Sequence, residues 1–497
     1  MRSLLLTPRQ FQQRIYDYLG KGRRENNKIS VILNLSTQEE DMKSARTLKA
    51  VFSLLLFLST SPLRSQEGGM TAGLDAKNIL PLKRQLKIME ECLAWRLDNI
   101  IPVLMRREGI DMWLTISSGE YARDPIGPTL FGTNGISSGG TGTVVFHDRG
   151  KDLGVERFST GRGGLYKPLP TDSKVDPFES LAKFIKERNP KKIGINTSKT
   201  KYWSFADGLS ATSKEKLVAA LGTEYSARLV SAERLGVGWL ETRSPQELSL
   251  YRHICGVAHD LIAEFFSNKV IIPDVTTTDE ACSWLGQKFV ELGLGSWFGT
   301  YITTHRYVDG KVKYLRSGSP GPGNENVIRR GDLIHCDVGI VYLGLCTDNQ
   351  QNAYVCRIGE NDAPQGLKEA LRRANRVQDI FMKEFQEGKT GNDVFLVSIE
   401  KTKKEGLNAS IYAHPLGYHG HAAGPFIGFI SRQEPTPGVG EYPIYLNTCY
   451  SIELHVMTKV PEWGNQEVRM ALEEDSVFAI DGCKFIDGRQ TRLFLIH

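Results

Sequence analysis

The sequence has no Cys-x-x-Cys pair among its eight cysteines. Zinc fingers and dense disulfide frameworks both need closely spaced cysteines, so both classes are excluded. The Gly/Ser-rich stretch that begins at Ser137 is not followed by Gly-Lys-Ser/Thr, and a strand comes after it. This pattern favours a hairpin or a surface loop over a phosphate-binding loop.

An excess of charge of one sign is also lacking over most of the chain. The formal net charge is +5, but residues 1–65 carry eleven Lys or Arg against five acids, so the remainder is close to neutral. A basic surface for nucleic acid is therefore not indicated, and no nucleic-acid partner is expected.

A hydrophobic run long enough to span a bilayer is missing as well. After Met42 come three basic residues, an apolar run over residues 50–58 and small residues near Ser65. This order is typical of a secretory signal peptide, and the run is too short for a stable membrane span. We expect Met42 to be the start, residues 1–65 to lie outside the fold, and the protein to be exported to the periplasm or beyond. An ordinary amphipathic extension is the alternative, and export would permit one or two disulfides.

The chain after this segment divides into two predicted domains. Residues 76–240 alternate helical and strand patterns, with a helical stretch at 76–112 and further helices at 177–188 and 214–221. This alternation predicts an α/β N-terminal domain. Residues 241–497 predict an α+β domain, with helices at 245–268, 366–387 and 391–405 and strands near 299–305 and 333–356. Ser244 and Glu247 form a capping-box pattern at the start of the first of these helices.

Two aspartates are the most informative feature of the second domain. Asp337 and Asp348 are eleven residues apart, each at an apolar stretch, on what the pattern predicts to be two paired strands. A carboxylate inside a buried strand is costly unless a positive charge compensates it. Two of them on adjacent strands therefore indicate a cation site.

Further metal-ligand types follow along the chain. Three histidines lie within eight residues, His414, His419 and His421, and acids follow at Glu453 and Glu473 in strand-like runs. Two aspartates, two glutamates and one imidazole form a hard, oxygen-rich donor set. Such a set suits two divalent ions, most of all Mn²⁺, with Zn²⁺, Co²⁺ or Fe²⁺ as alternatives.

The order of these motifs resembles the pita-bread metallopeptidases, in the branch of Xaa-Pro aminopeptidase and prolidase with a creatinase-type N-terminal domain. The resemblance rests on Asp337, Asp348, Gly-His421-x-x-Gly, Ile-Glu453 and Arg-x-x-x-Glu473-Glu-Asp, and it extends over the chain after the N-terminal segment. It implies an α/β domain followed by an α+β pita-bread catalytic domain, a peptide substrate and a homodimer.

The resemblance also implies a role for each ligand. Asp337 would chelate one metal ion, Asp348 and Glu473 would bridge two ions, and His421 and Glu453 would bind the second. A metal-bridging hydroxide would hydrolyse an N-terminal peptide bond, with Glu453 carrying the proton. Alignment on Gly-His-x-x-Gly selects His421, whereas a slip of two residues selects His419 and alignment on the first histidine selects His414.

The chain departs from the proline-specific members at two positions. Pro425-Phe-Ile-Gly428 stands where those members carry Val-His-Asp/Glu, and Pro320 stands where they carry an upstream histidine. His305 and His419 are the candidate catalytic histidines beside Glu453, and His455 is a further candidate donor.

Three functions are compatible with these patterns. The first is a dinuclear metallo-aminopeptidase of the Xaa-Pro type. The second is a divergent amide hydrolase of the prolidase or creatinase type, and the third is a non-catalytic peptide-binding module. The complete set of carboxylates favours the first, because without metal the acids would repel one another in a buried pocket.

Overall fold

The computed structural model describes residues 75–118, 123–131, 141–161, 164–316 and 326–497. The predicted signal peptide, most of the Gly/Ser-rich loop after Ser137, and Pro320 lie outside these ranges. All described residues belong to one compact unit. Within the described ranges, no helix combines the length and the apolar character that crossing a bilayer requires.

The first part of the described chain alternates helices and short strands. In order it contains a 3-10 turn Ala76–Asn78, α1 Leu82–Asn99, α2 Ile101–Glu108, β1 Met112–Ser118, α3 Gly127–Phe131, β2 Thr141–Asp148, β3 Val155–Ser159, β4 Lys167–Pro168, α4 Pro177–Arg188, β5 Ile193–Ile195, a 3-10 turn Ser204–Ala206, α5 Ala211–Ser226, β6 Leu229–Ser231 and α6 Glu233–Glu241. The strands form a six-stranded sheet in the order β4-β3-β2-β1-β5-β6. This sheet is mixed, because β1 pairs antiparallel with β2 and parallel with β5.

The second part contains longer helices and strands. In order it contains α7 Pro245–Phe265, α8 Thr278–Leu292, β7 Gly295–Ser296, β8 Tyr301–Val308, β9 Lys311–Arg316, β10 Leu333–Val338, β11 Ile340–Tyr342, β12 Leu345–Cys346, β13 Asn349–Val355, α9 Gln365–Met382, α10 Gly391–Lys404, β14 Asn408–Leu416, β15 Ile427–Gly428, a 3-10 turn Val439–Glu441, β16 Thr448–Val460, a 3-10 turn Pro461–Trp463, β17 Gln466–Ala479, β18 Gly482–Phe485 and β19 Phe494–Ile496. Eight strands form the path β15-β14-β16-β17-β13-β10-β8-β9, with β18 beside β17 and β19 beside β13.

The predicted capping box at the start of α7 is confirmed. The Ser244 hydroxyl accepts a hydrogen bond from the Glu247 amide at 3.1 Å, and the Glu247 carboxylate accepts from the Ser244 amide at 2.7 Å. Two otherwise unpaired amides at the helix start are satisfied in this way. Glu247 also forms buried ion pairs with Arg96 of α1 at 2.8 Å and with Arg243 at 3.4 Å. This carboxylate therefore joins the first helix to the start of α7.

The two parts of the chain also share apolar contacts. One core cluster contains Trp113 and Trp239 from the first part together with Tyr412, Phe426 and Tyr442 from the second. Residues from both sides of position 240 are buried against each other there, so the loop between β14 and β15 packs on the first part. The domain boundary near residue 240 stays a prediction.

Several predicted elements differ from the structure at their ends. The predicted helix 76–112 is split into α1 and α2, because Pro102 cannot donate a helical hydrogen bond and Gly109 ends α2 in the left-handed region. The predicted helix 214–221 is longer and kinks at Gly222. All eight cysteines are free thiols in the structure, which therefore contains neither of the one or two disulfides that export would permit.

Candidate metal centre

One row of residues crosses the large sheet at the same level on six neighbouring strands. Strand register pairs each member with the next across the sheet, and directly opposed residues point to the same face. From β8 to β14 the row is Tyr301, Asp337, Gln350, Glu473, Glu453 and Tyr412. The register alone therefore brings three of the predicted acidic ligands to one face of the sheet.

Asp348 completes the acidic group from the residue before β13. Because it precedes Gln350 by two positions, its side chain points to the face that Gln350 occupies. Carboxylate oxygens of Asp337, Asp348 and Glu473 all lie within 4.8 Å of one another. These three residues are 7%, 3% and 1% exposed, respectively. The two predicted aspartates thus converge with Glu473 in a buried site.

His414 lies among these acids with one ring nitrogen directed at them. Its Nε2 is 3.4 Å from an oxygen of Asp348 and 3.5 Å from an oxygen of Glu473, and the residue is completely buried. Its Nδ1 lies 3.2 Å from the Pro415 carbonyl oxygen. A carbonyl can only accept, so Nδ1 carries the proton and Nε2 presents a lone pair to two carboxylates. This tautomer is the one that a metal-binding imidazole needs.

His421 reaches the same place from the loop after β14. A ring nitrogen of His421 lies within 4.8 Å of ligand atoms of Asp348 and His414, although His421 is itself solvent-exposed. Its ring meets that of His414 edge-on at 4.6 Å and that of Trp297 at 5.0 Å. Two of the three alternative histidines are therefore within reach of one cation.

The acids raise one another's proton affinity. Burial raises the pKa of Asp348 well above its usual range, and the charges of Glu473 and Asp337 add to this effect. Burial and the charge of Glu473 do the same for Glu453, which lies within 4.8 Å of His414 and Glu473. One oxygen of Asp348, Oδ1, accepts no hydrogen bond. A group of repelling carboxylates with an unsatisfied oxygen fits a site for divalent cations.

Neutral donors hold two of the acids in place. The Tyr301 hydroxyl donates to Asp337 at 2.6 Å, and the Ser451 hydroxyl donates to Oε1 of Glu473. The Gln350 amide donates to Oε2 of Glu473 at 2.5 Å. The orientation of both carboxylates is therefore set by uncharged groups, which add no positive charge to the site.

The structure does not bring two of the predicted catalytic histidines into this group. Among the described residues, the clusters of potential ligands include neither His419 nor His305. The His419 ring stacks on Phe205 at 4.4 Å, and that of His305 packs against Tyr314 at 5.0 Å. Burial lowers the pKa of both, to about 4 for His305, so both rings are neutral at pH 7. Their catalytic roles stay predictions.

A pocket of about 480 Å³ opens onto the acidic group. Aromatic side chains form much of its wall: Trp297, Phe298, Tyr301, Tyr314, Tyr412 and Phe429. Arg469 of β17 also lines it, and among the described residues no carboxylate lies within ion-pair distance of that guanidinium. The pocket therefore combines an acidic floor, apolar walls and one cation.

The sequence-based prediction did not include His335 and Gln350, which line this pocket. His335 precedes Asp337 by two positions, and Gln350 follows Asp348 by two. Strand alternation puts residues two apart on the same face, so this spacing was the available signal.

Comparison with known proteins agrees with this geometry. Residues 249–482 match the profile of metallopeptidase family M24. No curated protein matches the chain. Residues 249–482 therefore form a domain of metallopeptidase family M24, the pita-bread metallopeptidases, as the motif order indicated.

Solved structures share the fold over most of the chain. An X-Pro aminopeptidase from Thermotoga maritima MSB8 has a TM-score of 0.54 at 16% identity, covering 79% of this chain and 99% of that one. An Xaa-Pro dipeptidase from Bacillus anthracis has a TM-score of 0.54 at 17% identity, covering 81% and 99%. A dipeptidase PepE from Mycobacterium ulcerans has a TM-score of 0.53 at 14% identity, covering 82% and 98%. The predicted fold class, an α/β part followed by an α+β pita-bread part, is confirmed.

Proposed function

We propose that the protein is a dinuclear metallopeptidase of the Xaa-Pro aminopeptidase type. The observation that carries the proposal is the group of four acids and an imidazole on one sheet face, with ligand atoms within 4.8 Å of one another in overlapping sets. Relatives described as X-Pro aminopeptidase and Xaa-Pro dipeptidase share the fold, which supports the peptidase class.

The donor chemistry fits divalent cations. Neutral imidazoles cannot compensate the charge of four carboxylates, and burial makes the mutual repulsion of these acids costly. Mn²⁺ is the proposed ion, because hard oxygen donors dominate. Asp337, Asp348 and Glu473 would hold the ions together, with Glu453 beside them. When bound, two such ions would lower the pKa of a water molecule and polarise the scissile carbonyl.

We propose His414 and His421 as the nitrogen ligands. His414 is supported by its tautomer, which directs the Nε2 lone pair toward Asp348 and Glu473. His421 is supported by its place beside His414 and Asp348. Metal content should fall strongly in His414→Ala and in His421→Ala, and it should be retained in His419→Ala. Loss of metal in His419→Ala alone would contradict this assignment.

The chain's own groups would handle the proton. Glu453 is half-buried and lines the pocket, and its raised pKa suits a carboxyl that is protonated for part of the cycle. We propose that it passes a proton to the leaving nitrogen of the substrate. A Glu453→Gln variant should lose most of its activity.

The pocket supports a short substrate with an apolar residue and a free carboxylate. Its aromatic walls fit a proline ring or another apolar side chain. Arg469 would pair with the carboxylate of a substrate that ends soon after the scissile bond. A Xaa-Pro dipeptide and its C-terminal amide, assayed with Mn²⁺, test this. The acid should have the lower KM, and the preference should disappear in Arg469→Met.

Two other functions are less well supported by the site. A metal-free amide hydrolase does not need the acidic group, and a binding module would retain it only at a cost in stability. The purified full chain, assayed with Mn²⁺ on Xaa-Pro dipeptides and longer peptides, separates these functions. Bound metal with no hydrolysis of any peptide would refute the peptidase and leave the metal site.

A further inference from the structure

A chain of hydrogen bonds crosses three strands and ends on Glu473. Thr303 of β8 contacts His335 of β10, with 3.2 Å between Oγ1 and Nδ1. The His335 Nε2 lies 2.9 Å from Oε1 of Gln350, and the Gln350 amide nitrogen lies 2.5 Å from Oε2 of Glu473. All four residues are at most 4% exposed. The four side chains are thus almost entirely buried, at the wall of the pocket.

The direction of every bond in this chain follows from its last member. A carboxylate only accepts, so Gln350 must turn its NH₂ group toward Glu473 and its carbonyl oxygen toward His335. That oxygen also only accepts, so the proton of His335 is on Nε2. The Nδ1 lone pair then accepts from the Thr303 hydroxyl. Each donor points toward Glu473, and turning one member would leave two acceptors facing each other.

Neither His335 nor Gln350 carries a charge on these grounds. Gln350 is an amide, and His335 needs only one ring proton to satisfy both of its contacts. A cation at either position would compete with a metal ion for the charge of Glu473. A neutral donor orients the carboxylate and leaves that charge in place.

We propose that His335 and Gln350 are positioning residues, which hold Glu473 in the orientation that binds a divalent cation. Thr303 fixes the tautomer of His335, and His335 fixes the amide of Gln350. This inference rests on the proposed metal centre. It assigns a role to two residues that line the pocket and are not among the proposed metal ligands.

Mn²⁺ binding measured by calorimetry on the full chain tests the proposal without any assay of activity. Gln350→Met keeps the length of the side chain but removes the donor, and His335→Phe keeps the ring but leaves the amide of Gln350 free to turn. Each should weaken Mn²⁺ binding by roughly 10- to 100-fold, the range for residues that support a metal ligand. His335→Gln places an amide nitrogen where Nε2 stood, so it should restore binding to within a few-fold of the wild type.

The double variant His335→Phe/Gln350→Met distinguishes positioning from general damage. If His335 acts only through Gln350, the double variant should bind Mn²⁺ no more weakly than Gln350→Met alone. Losses that multiply would overturn the proposal, and so would equal losses in His335→Phe and His335→Gln.

A pair of milder variants at Thr303 keeps the proposal testable if His335→Phe does not fold. Thr303→Val removes the hydroxyl at nearly constant shape, and Thr303→Ser keeps it. Thr303→Val should weaken Mn²⁺ binding while Thr303→Ser does not, and equal binding in both would count against the chain. If the wild type itself bound no Mn²⁺, the proposed function would fail. If the wild type bound Mn²⁺ and all variants matched it, only this inference would fail.

Discussion

Glu241, the last residue of α6, is buried without a compensating ion pair. It is completely buried, its Oε1 accepts a hydrogen bond from the Tyr442 hydroxyl at 2.8 Å, and its Oε2 accepts none. Arg107 donates to the same hydroxyl at 3.2 Å rather than to the carboxylate. Burial raises the pKa of Glu241 from 4.5 to about 8. In the folded protein this carboxyl is therefore mostly protonated at pH 7.

The raised pKa predicts how stability depends on pH. Between pH 4.5 and pH 8 the folded state holds a proton that the unfolded state has released, so stability falls as pH rises through this window. The slope approaches 1.4 kcal/mol per pH unit, on the order of 4 kcal/mol in all from pH 5 to pH 9. A Glu241→Gln variant cannot ionise, and its amide oxygen still accepts from Tyr442. The free energy of unfolding of the variant should therefore not show this fall as pH rises.

Urea unfolding at five pH values from 5 to 9, followed by tryptophan fluorescence, measures the effect. The free energy of unfolding of Glu241→Gln minus that of the wild type should rise by about 4 kcal/mol over this range. Glu400→Gln is the control, because Lys404 lowers the pKa of that exposed acid and its titration lies below the window. A difference for Glu241→Gln that is constant with pH would refute the reasoning.

Three further predictions concern other sites. Arg96→Met leaves Glu247 with only its longer ion pair, so it should lower the free energy of unfolding by about 3–5 kcal/mol in urea titrations; a loss under 1 kcal/mol would contradict this. Asp348→Asn removes a charge from the acidic group, so the metal-free protein should melt at a higher temperature and bind less Mn²⁺. A melting temperature of the metal-free variant below that of the metal-free wild type would contradict repulsion among the four acids. Secretion should produce a chain that begins near residue 66, and N-terminal sequencing of the exported protein would reveal any other start.

The acidic group could be predicted from the sequence because each acid lies at a short strand-like stretch that can be recognised on its own. Asp337 and Asp348 lie at two apolar stretches of suitable length, and β10 and β13 do pair antiparallel. Glu453 and Glu473 were recognised by similar stretches, and they lie directly opposite each other in the structure. In each case an acid lies within or just after a short apolar stretch, and this is visible without any knowledge of the neighbouring strands.

The histidines could not be ranked in the same way. His414 is on β14 opposite Ser451, whereas His419 and His421 lie in the loop that follows. The sequence of this loop has no periodicity that tells which ring turns toward the acids. The answer depends on packing against Trp297 and Phe205, which are more than a hundred residues away along the chain. The roles of His335 and Gln350 could not be predicted, because they depend on the register of β10, β13 and β17 together.

The metal content of the full chain, after equilibration with Mn²⁺ and removal of unbound ions, tests the central claim most directly. The acidic group of Asp337, Asp348, Glu453 and Glu473 predicts two ions per wild-type chain, and Asp348→Asn should retain fewer. A wild-type chain that retained no metal would contradict the account, because the pocket's described lining offers only Arg469 as a cation against four acids.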